Sequence, residues 1–251
     1  MLSQIDYDVK ETFPAVKGVL VVRNGYVVFE NYYQGYGRSD HHHVKSVTKS
    51  VISALVGVAL KEDRLESVDQ RLSEFFPEHF SSGTDPRKRQ ITVENLLTMT
   101  NGFRLNTFDN EGLEDRIMTS DDVVEASIEQ PMAKEPGEEF NYNDWGAHLI
   151  SAILTWEGRQ IVPRGYVRTS TREQVEAAPY TEGYGYFWWT REVEGYRAFF
   201  AAGYDGQRIY VIPELDLVAV IVTEEPGRVG IASEDTDVLK DYDVVPAVED
   251  E

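Results

Sequence analysis

The chain has 251 residues, no cysteine and a formal charge of −20, from 24 lysines and arginines against 44 aspartates and glutamates. Disulfides, thiolate metal sites and a cysteine nucleophile are excluded, and so acidic a surface repels nucleic-acid phosphates and anionic lipid, so neither nucleic acid nor membrane is expected as a partner. No apolar run approaches the ~20 residues that span a bilayer, and the N-terminus shows no basic segment leading into an apolar one, which makes a cytoplasmic location the expectation.

In chain order, the first strong signal is a hairpin. Gly18–Val22 and Tyr26–Glu30 are strand-like runs joined through Asn24-Gly25, and Asn-Gly between apolar runs is the strongest short hairpin signature. From Ser46 to about Thr155 the pattern turns helical: the apolar run from Val51 to Leu60, then Ser67–Phe76, Thr92–Met99, Ser120–Gln130 and Asn143–Thr155. Beyond Gln160 strands return, at Gly183–Trp189, Tyr196–Ala202, Gln207–Ile212 and Asp216–Thr223, with Pro213-Glu214 as a turn. Strands at both ends around a helical middle predict an α/β (α+β) fold: an antiparallel sheet formed by N- and C-terminal strands, flanked by helices, with an inserted helical lobe. The expected division is a sheet lobe of residues 1–45 plus 158–251, a helical lobe of 46–157 with a cleft between them, and an acidic tail at 244–251. The same excess of acid also fits adaptation to high salt.

The chemistry concentrates where Ser46-Val47-Thr48-Lys49 heads the most apolar stretch of the chain. Residues three apart on a helix share a face, so Ser46 Oγ and Lys49 Nζ can meet. The helix is apolar nearly all round, with Val47, Val51 and Leu55 on one side and Ile52, Val56 and Leu60 on the next, which predicts a buried helix. Burial lowers a lysine's pKa and makes it a usable base. A hydroxyl beside such a base, at a helix N-terminus, is a nucleophile with half an oxyanion site attached. The plain alternative is a serine N-cap followed by a lysine that reaches solvent.

Two further segments accompany it. Pro136–Asp144 is a turn delivering Tyr142 to the start of a helix, and Ala201-Ala202-Gly203-Tyr204-Asp205-Gly206-Gln207 is a glycine-containing bend between strands, suited to close backbone approach. The order nucleophile, tyrosine, glycine turn, together with Leu96–Gly102 and Gly158–Pro163, resembles the β-lactamase-related serine hydrolases. That group holds class C β-lactamases, D-alanyl-D-alanine carboxypeptidases, esterases and 6-aminohexanoate-dimer hydrolases.

The resemblance implies Ser46 as nucleophile, Lys49 as its base, Tyr142 as proton donor to the leaving group, and an oxyanion site between the backbone N–H groups of Ser46 and Tyr204. It places Asp144, Trp145, Gly203 and Asp205 around the substrate, a small-molecule ester or amide, and implies no cofactor and no metal. Two positions differ from the family pattern. Tyr142-Asn143-Asp144 stands where Tyr-Ser-Asn is usual, and an Asp144 facing Lys49 would favour the ammonium and slow proton abstraction. Ala201-Ala202 stands where β-lactamases and peptidases carry a cation and a hydroxyl, which points away from β-lactams and peptide C-termini and toward esters or linear amides, unless Arg208 supplies the charge. The alternatives are a catalytically impaired, ligand-binding member of the same fold, and a β-lactamase or D-Ala-D-Ala peptidase.

Other residues offer less. His41-His42-His43 lack matching carboxylate or cysteine spacing for a metal, and Ser46 lacks the flanking glycines of a nucleophile elbow that would pair it with His148. Trp188 and Trp189 point to opposite faces of a strand, so at least one is expected in the core. Thr155 runs almost directly into Gly158 where the family has a longer wall, predicting an open site, an exposed apolar surface near Trp145 and Trp156, and a possible homodimer.

Overall fold

The hairpin forms as its sequence predicts. In a computed structural model, which describes residues 2–13, 15–107, 119–154 and 164–223, strands β1 (Val16–Arg23) and β2 (Tyr26–Tyr32) pair antiparallel. Asn24 and Gly25 both take positive φ, 49° and 77°, as the tight turn that matches strand twist demands. The remaining strands are β3 (Val175–Glu176), β4 (Gly183–Tyr184), β5 (Trp189–Val193), β6 (Tyr196–Gly203), β7 (Gln207–Ile212) and β8 (Leu217–Thr223). All pair antiparallel in one eight-stranded sheet of order β2-β1-β8-β7-β6-β5-β4-β3, so β1 from the start of the chain lies between its hairpin partner and the last described strand.

Seven α-helices accompany the sheet among the described residues: α1 (Leu2–Thr12), α2 (Val47–Lys61), α3 (Leu72–Phe75), α4 (Val93–Leu97), α5 (Val123–Ile128), α6 (Asp144–Ile153) and α7 (Arg164–Ser170). Helix α1 is an element the sequence reading passed over. Its Ile5 and Val9, one turn apart, are buried, while Lys10 Nζ pairs with Asp6 Oδ2 at 2.6 Å across the same spacing. Helices α3, α4 and α5 are shorter than the patterns around them predict, and the strand expected across Gly183–Trp189 is broken into β4 and β5. Phe187 interrupts it with a φ of 60° and an N–H that donates to Leu97 O at 3.0 Å.

Helix α2 is the pivot of the molecule, packing on β6, β7, α6 and α7. The prediction that it is buried all round does not hold. Val51 is 51% exposed, and the buried positions are Val47, Lys49, Ser50, Ser53, Val56, Gly57 and Val58. The inward face is therefore small and polar as much as apolar, because neighbouring backbone and rings come close to it. Ser50 Oγ donates to Phe187 O at 2.7 Å. A Cβ on Gly57 would stand 2.5 Å from Tyr166 Cδ1 on α7, so only glycine fits without displacing that ring. Trp156, the Gly158–Pro163 stretch and the acidic tail at 244–251 lie outside the described residues.

Candidate active site

Ser46 ends the segment between β2 and α2, and its neighbour Lys45 holds a left-handed φ of 52°, a conformation costly for a residue with a Cβ. The N–H groups of Val47, Thr48 and Lys49 donate to Val44 O, Lys45 O and Ser46 O at 3.2, 3.1 and 3.0 Å. The N–H of Ser46 has no acceptor among the described residues. It is thus the open donor at this helix start, where the backbone dipoles also favour negative charge. Ser46 makes no side-chain cap hydrogen bond. Its Oγ instead accepts from Lys49 Nζ at 2.8 Å, the contact that the three-residue spacing predicts.

Lys49 is only 9% exposed. Burial alone would lower its pKa, but the facing Tyr142 oxygen and Asp144 carboxylate outweigh burial, and the pKa is raised above the ordinary lysine value. This reverses the expectation of a lysine whose pKa is lowered by desolvation. The cause is geometric: Asp144 Oδ1 stands 2.5 Å from Lys49 Nζ, with both side chains largely shielded from water.

Tyr142 comes from a turn pinned to the loop that follows α4. Asn141 N–H donates to Met99 O at 2.8 Å, Thr107 N–H to Tyr142 O at 2.9 Å, and Asp144 N–H to Thr107 Oγ1 at 2.9 Å. Asn143 caps α6 by accepting from Gly146 N–H at 3.0 Å, while its side chain pairs with that of the fully buried Asn101 at 3.2 and 3.3 Å. Leu96–Gly102 is therefore the platform on which the tyrosine turn sits, and Asn101 is a site-building residue that sequence reasoning named only as part of a motif. The Tyr142 ring stacks on Trp189 with centroids 5.4 Å apart and meets Tyr184 edge to face at 6.4 Å. Lys49 Nζ lies 5.3 Å from the Tyr142 ring centroid. Trp189, the first residue of β5, is buried, and Trp188, in the break before it, is half-buried.

The glycine bend lies at the end of β6. A Cβ on Gly203 would meet Val44 O at 2.5 Å and Gln207 Cβ at 2.8 Å, so glycine lets this strand end press against the chain that leads into Ser46. Tyr204, Asp205 and Gly206 form the turn, with Asp205 left-handed at φ 64°. Arg208 on β7 is 2% exposed and donates from Nη1 to Gly203 O at 3.2 Å and to Gln207 O at 2.9 Å. It is turned into the sheet, so it is not the substrate-facing cation that sequence reasoning allowed for. In a planar trans peptide, C=O and the next N–H point in opposite directions. With Gly203 O held by Arg208, the N–H of Tyr204 points away from Arg208. Gln207 completes the brace, its Nε2 donating to Thr223 O at 2.6 Å, while Thr223 Oγ1 donates to Asp205 O.

The structure thus joins Ser46, Lys49, Tyr142 and Asp144 in one cluster, and brings Gly203 and Tyr204 to the segment just before Ser46. Asp205 is half-buried in the turn. Trp145 is buried at 3% exposure and packs in the core cluster, while Trp156, the other residue of the expected apolar surface, lies outside the described residues. His148 lines a groove with Val123, Val124, Ser151 and Ala152, on the α5 side of α6. His42 packs its ring 5.2 Å from Tyr36, and His43 Nδ1 accepts from Lys45 N–H at 3.1 Å.

Comparison with known proteins bears on the family and the fold. The family model described as Beta-lactamase matches residues 11–155. The chain is 25% identical over 161 residues to Protein flp of Staphylococcus aureus strain MW2, a match covering 60% of this chain but only 31% of that protein. Among solved structures, a Bacillus anthracis protein described as a 6-aminohexanoate-dimer hydrolase superposes with a TM-score of 0.76 at 16% identity, covering 98% of this chain and 82% of that one. The octameric penicillin-binding protein homologue from Pyrococcus abyssi gives 0.73 at 15% identity, covering 97% and 78%. At such identities these structures establish the fold, an antiparallel sheet with helices.

Proposed function

The chain belongs to the Beta-lactamase family, and from that premise we propose that it is a serine hydrolase cleaving an ester or a linear amide through an acyl-enzyme on Ser46. The observation that carries this reading is the 2.8 Å hydrogen bond between Lys49 Nζ and Ser46 Oγ at the start of α2, where Lys49 faces inward. Ser46 Oγ attacks the substrate carbonyl and its proton passes to Lys49 Nζ. The oxyanion lies between the N–H groups of Ser46 and Tyr204. Collapse expels the alcohol or amine, which takes a proton from Tyr142, and Tyr142 is reprotonated from Lys49. Water then attacks the acyl-enzyme by the same relay in reverse and releases the acid.

Lys49 can accept a proton only when it is neutral, so its ammonium must first give one up, and the contact with Asp144 Oδ1 at 2.5 Å opposes that loss. That contact also supports a second reading, a member of the family that acylates slowly or only binds ligand. Turnover of p-nitrophenyl acetate that disappears in Ser46→Ala, with circular dichroism unchanged, establishes the hydrolase. Stable fluorophosphonate labelling of Ser46 without turnover, or no labelling, establishes the second reading. Unchanged hydrolysis in Ser46→Ala overturns both.

A further inference from the structure

The turn beside Ser46 carries a cation that the proposed reaction does not use. Lys45 immediately precedes the nucleophile, and its Nζ lies 6.0 Å from the centroid of the Tyr204 ring, whose backbone N–H is the second oxyanion donor in the reading above. Tyr204 is 40% exposed, so this ammonium stands at the mouth of the site rather than in the core.

The basic side chains nearest to it are all committed. Lys49 is bound by Asp144, Arg208 is spent on Gly203 O and Gln207 O, and Ala201 and Ala202 bring no charge. Lys45, by contrast, has no carboxylate within ion-pairing distance among the described residues. In a chain with 44 acidic against 24 basic side chains, a cation at a site mouth with no acid beside it among the described residues is a departure from the general pattern. Its backbone strengthens the point. The left-handed φ of 52° costs on the order of 1 kcal/mol for a residue with a Cβ, and His43 Nδ1 holds that conformation by accepting the Lys45 N–H at 3.1 Å. Strain kept beside a nucleophile marks a position whose side chain is aimed. An aromatic face under an ammonium steadies it without neutralising its charge, leaving its N–H donors to a ligand.

We propose that Lys45 is a substrate-reading residue, and that the substrate is an anionic ester or linear amide bearing a carboxylate a few bonds from the reacting carbonyl. The carboxylate docks on the Lys45 ammonium above the Tyr204 ring while the carbonyl oxygen enters the space between the Ser46 and Tyr204 N–H groups. This rests on Ser46 being the reacting residue, and it adds the charge of the molecule that reaches it.

The test reads binding, so it stays decisive whether or not the protein turns over. Monomethyl glutarate and dimethyl glutarate are titrated by NMR against Ser46→Ala and against Ser46→Ala combined with Lys45→Met. The monoanion is expected to bind Ser46→Ala about fivefold more tightly than the diester, the scale of a partly exposed ion pair. That preference should vanish with Lys45→Met, survive with Lys45→Arg, and shrink with added salt. Equal binding of the two esters, a preference that survives Lys45→Met, or no binding of the monoanion in the millimolar range overturns the proposal. The p-nitrophenyl acetate assay on the unmodified protein reports separately on hydrolysis, so failure of either idea is visible by itself.

Discussion

Asp144 Oδ1 and Lys49 Nζ lie 2.5 Å apart, and that contact adds to the Tyr142 oxygen in holding the lysine as an ammonium against the burial that would push its pKa down. The pair is mostly shielded, so removing one member leaves a buried charge, a change that typically costs about 3–5 kcal/mol unless the survivor can neutralise.

Asp144→Asn should therefore raise activity near neutral pH. With the pKa of Lys49 raised, the neutral amine is a minor species at pH 7, and the rate should climb about tenfold per pH unit until the lysine titrates. Losing the carboxylate removes a cause of that rise, so the alkaline limb moves to lower pH. The stability conferred by a group with a raised folded pKa is fully present below its unfolded value and is lost only as pH climbs through the folded one, so wild-type stability should hold through neutral pH and fall in the alkaline range. A pH–rate profile of Asp144→Asn that overlays wild type would show that Lys49 is not the proton acceptor.

Lys49→Ala and Tyr142→Phe should each lower kcat on p-nitrophenyl acetate by about 10²-fold or more, the usual scale for general acid–base groups. The Lys49 ammonium sits 5.3 Å from the Tyr142 ring and shares its proton path, so the two losses should not multiply in the double variant. Full multiplicativity would mean that the two groups act independently.

Arg208→Met should reduce kcat by roughly tenfold with little change in KM, less than the 10²–10³-fold of a deleted oxyanion donor, because the Tyr204 N–H is loosened rather than removed. Gly203→Ala should do more, since the added Cβ meets Val44 O at 2.5 Å and displaces the backbone on both sides of the oxyanion space. Kinetics on one ester substrate check both, and an Arg208→Met enzyme with wild-type kcat would show that the turn keeps its shape without the brace.

The sequence made the hairpin, the start of α4 at Thr92 and the Ser46–Lys49 contact legible because each depends on residues a few positions apart. Thr92 and Asn95 form their reciprocal cap at 3.0 and 3.2 Å for the same reason. The pKa of Lys49 was not legible in that way. Its sign depends on whether Asp144, on another helix, faces it, and sequence could name the possibility but not the distance. Helix α1 was missed because an eleven-residue helix, in which Ile5 and Val9 are the buried apolar positions among the described side chains, makes a weak pattern until a sheet is present to cover. The break between β4 and β5 escaped for the opposite reason. Tyr184–Trp189 is rich in strand-favouring aromatics, yet tertiary hydrogen bonds from Ser50 and Phe187 override that preference.

The hydrogen bond from Ser50 to Phe187 O joins groups 137 positions apart in sequence. During synthesis the nucleophile helix leaves the ribosome long before β6, β7 and β8, the strands that carry Tyr204 and pair with β1. Contacts of such long range form slowly. On the proposed reading, Ser46 and Lys49 lack the Tyr204 N–H until the last strands join the sheet, so acyl-transfer competence should appear as a late step of folding.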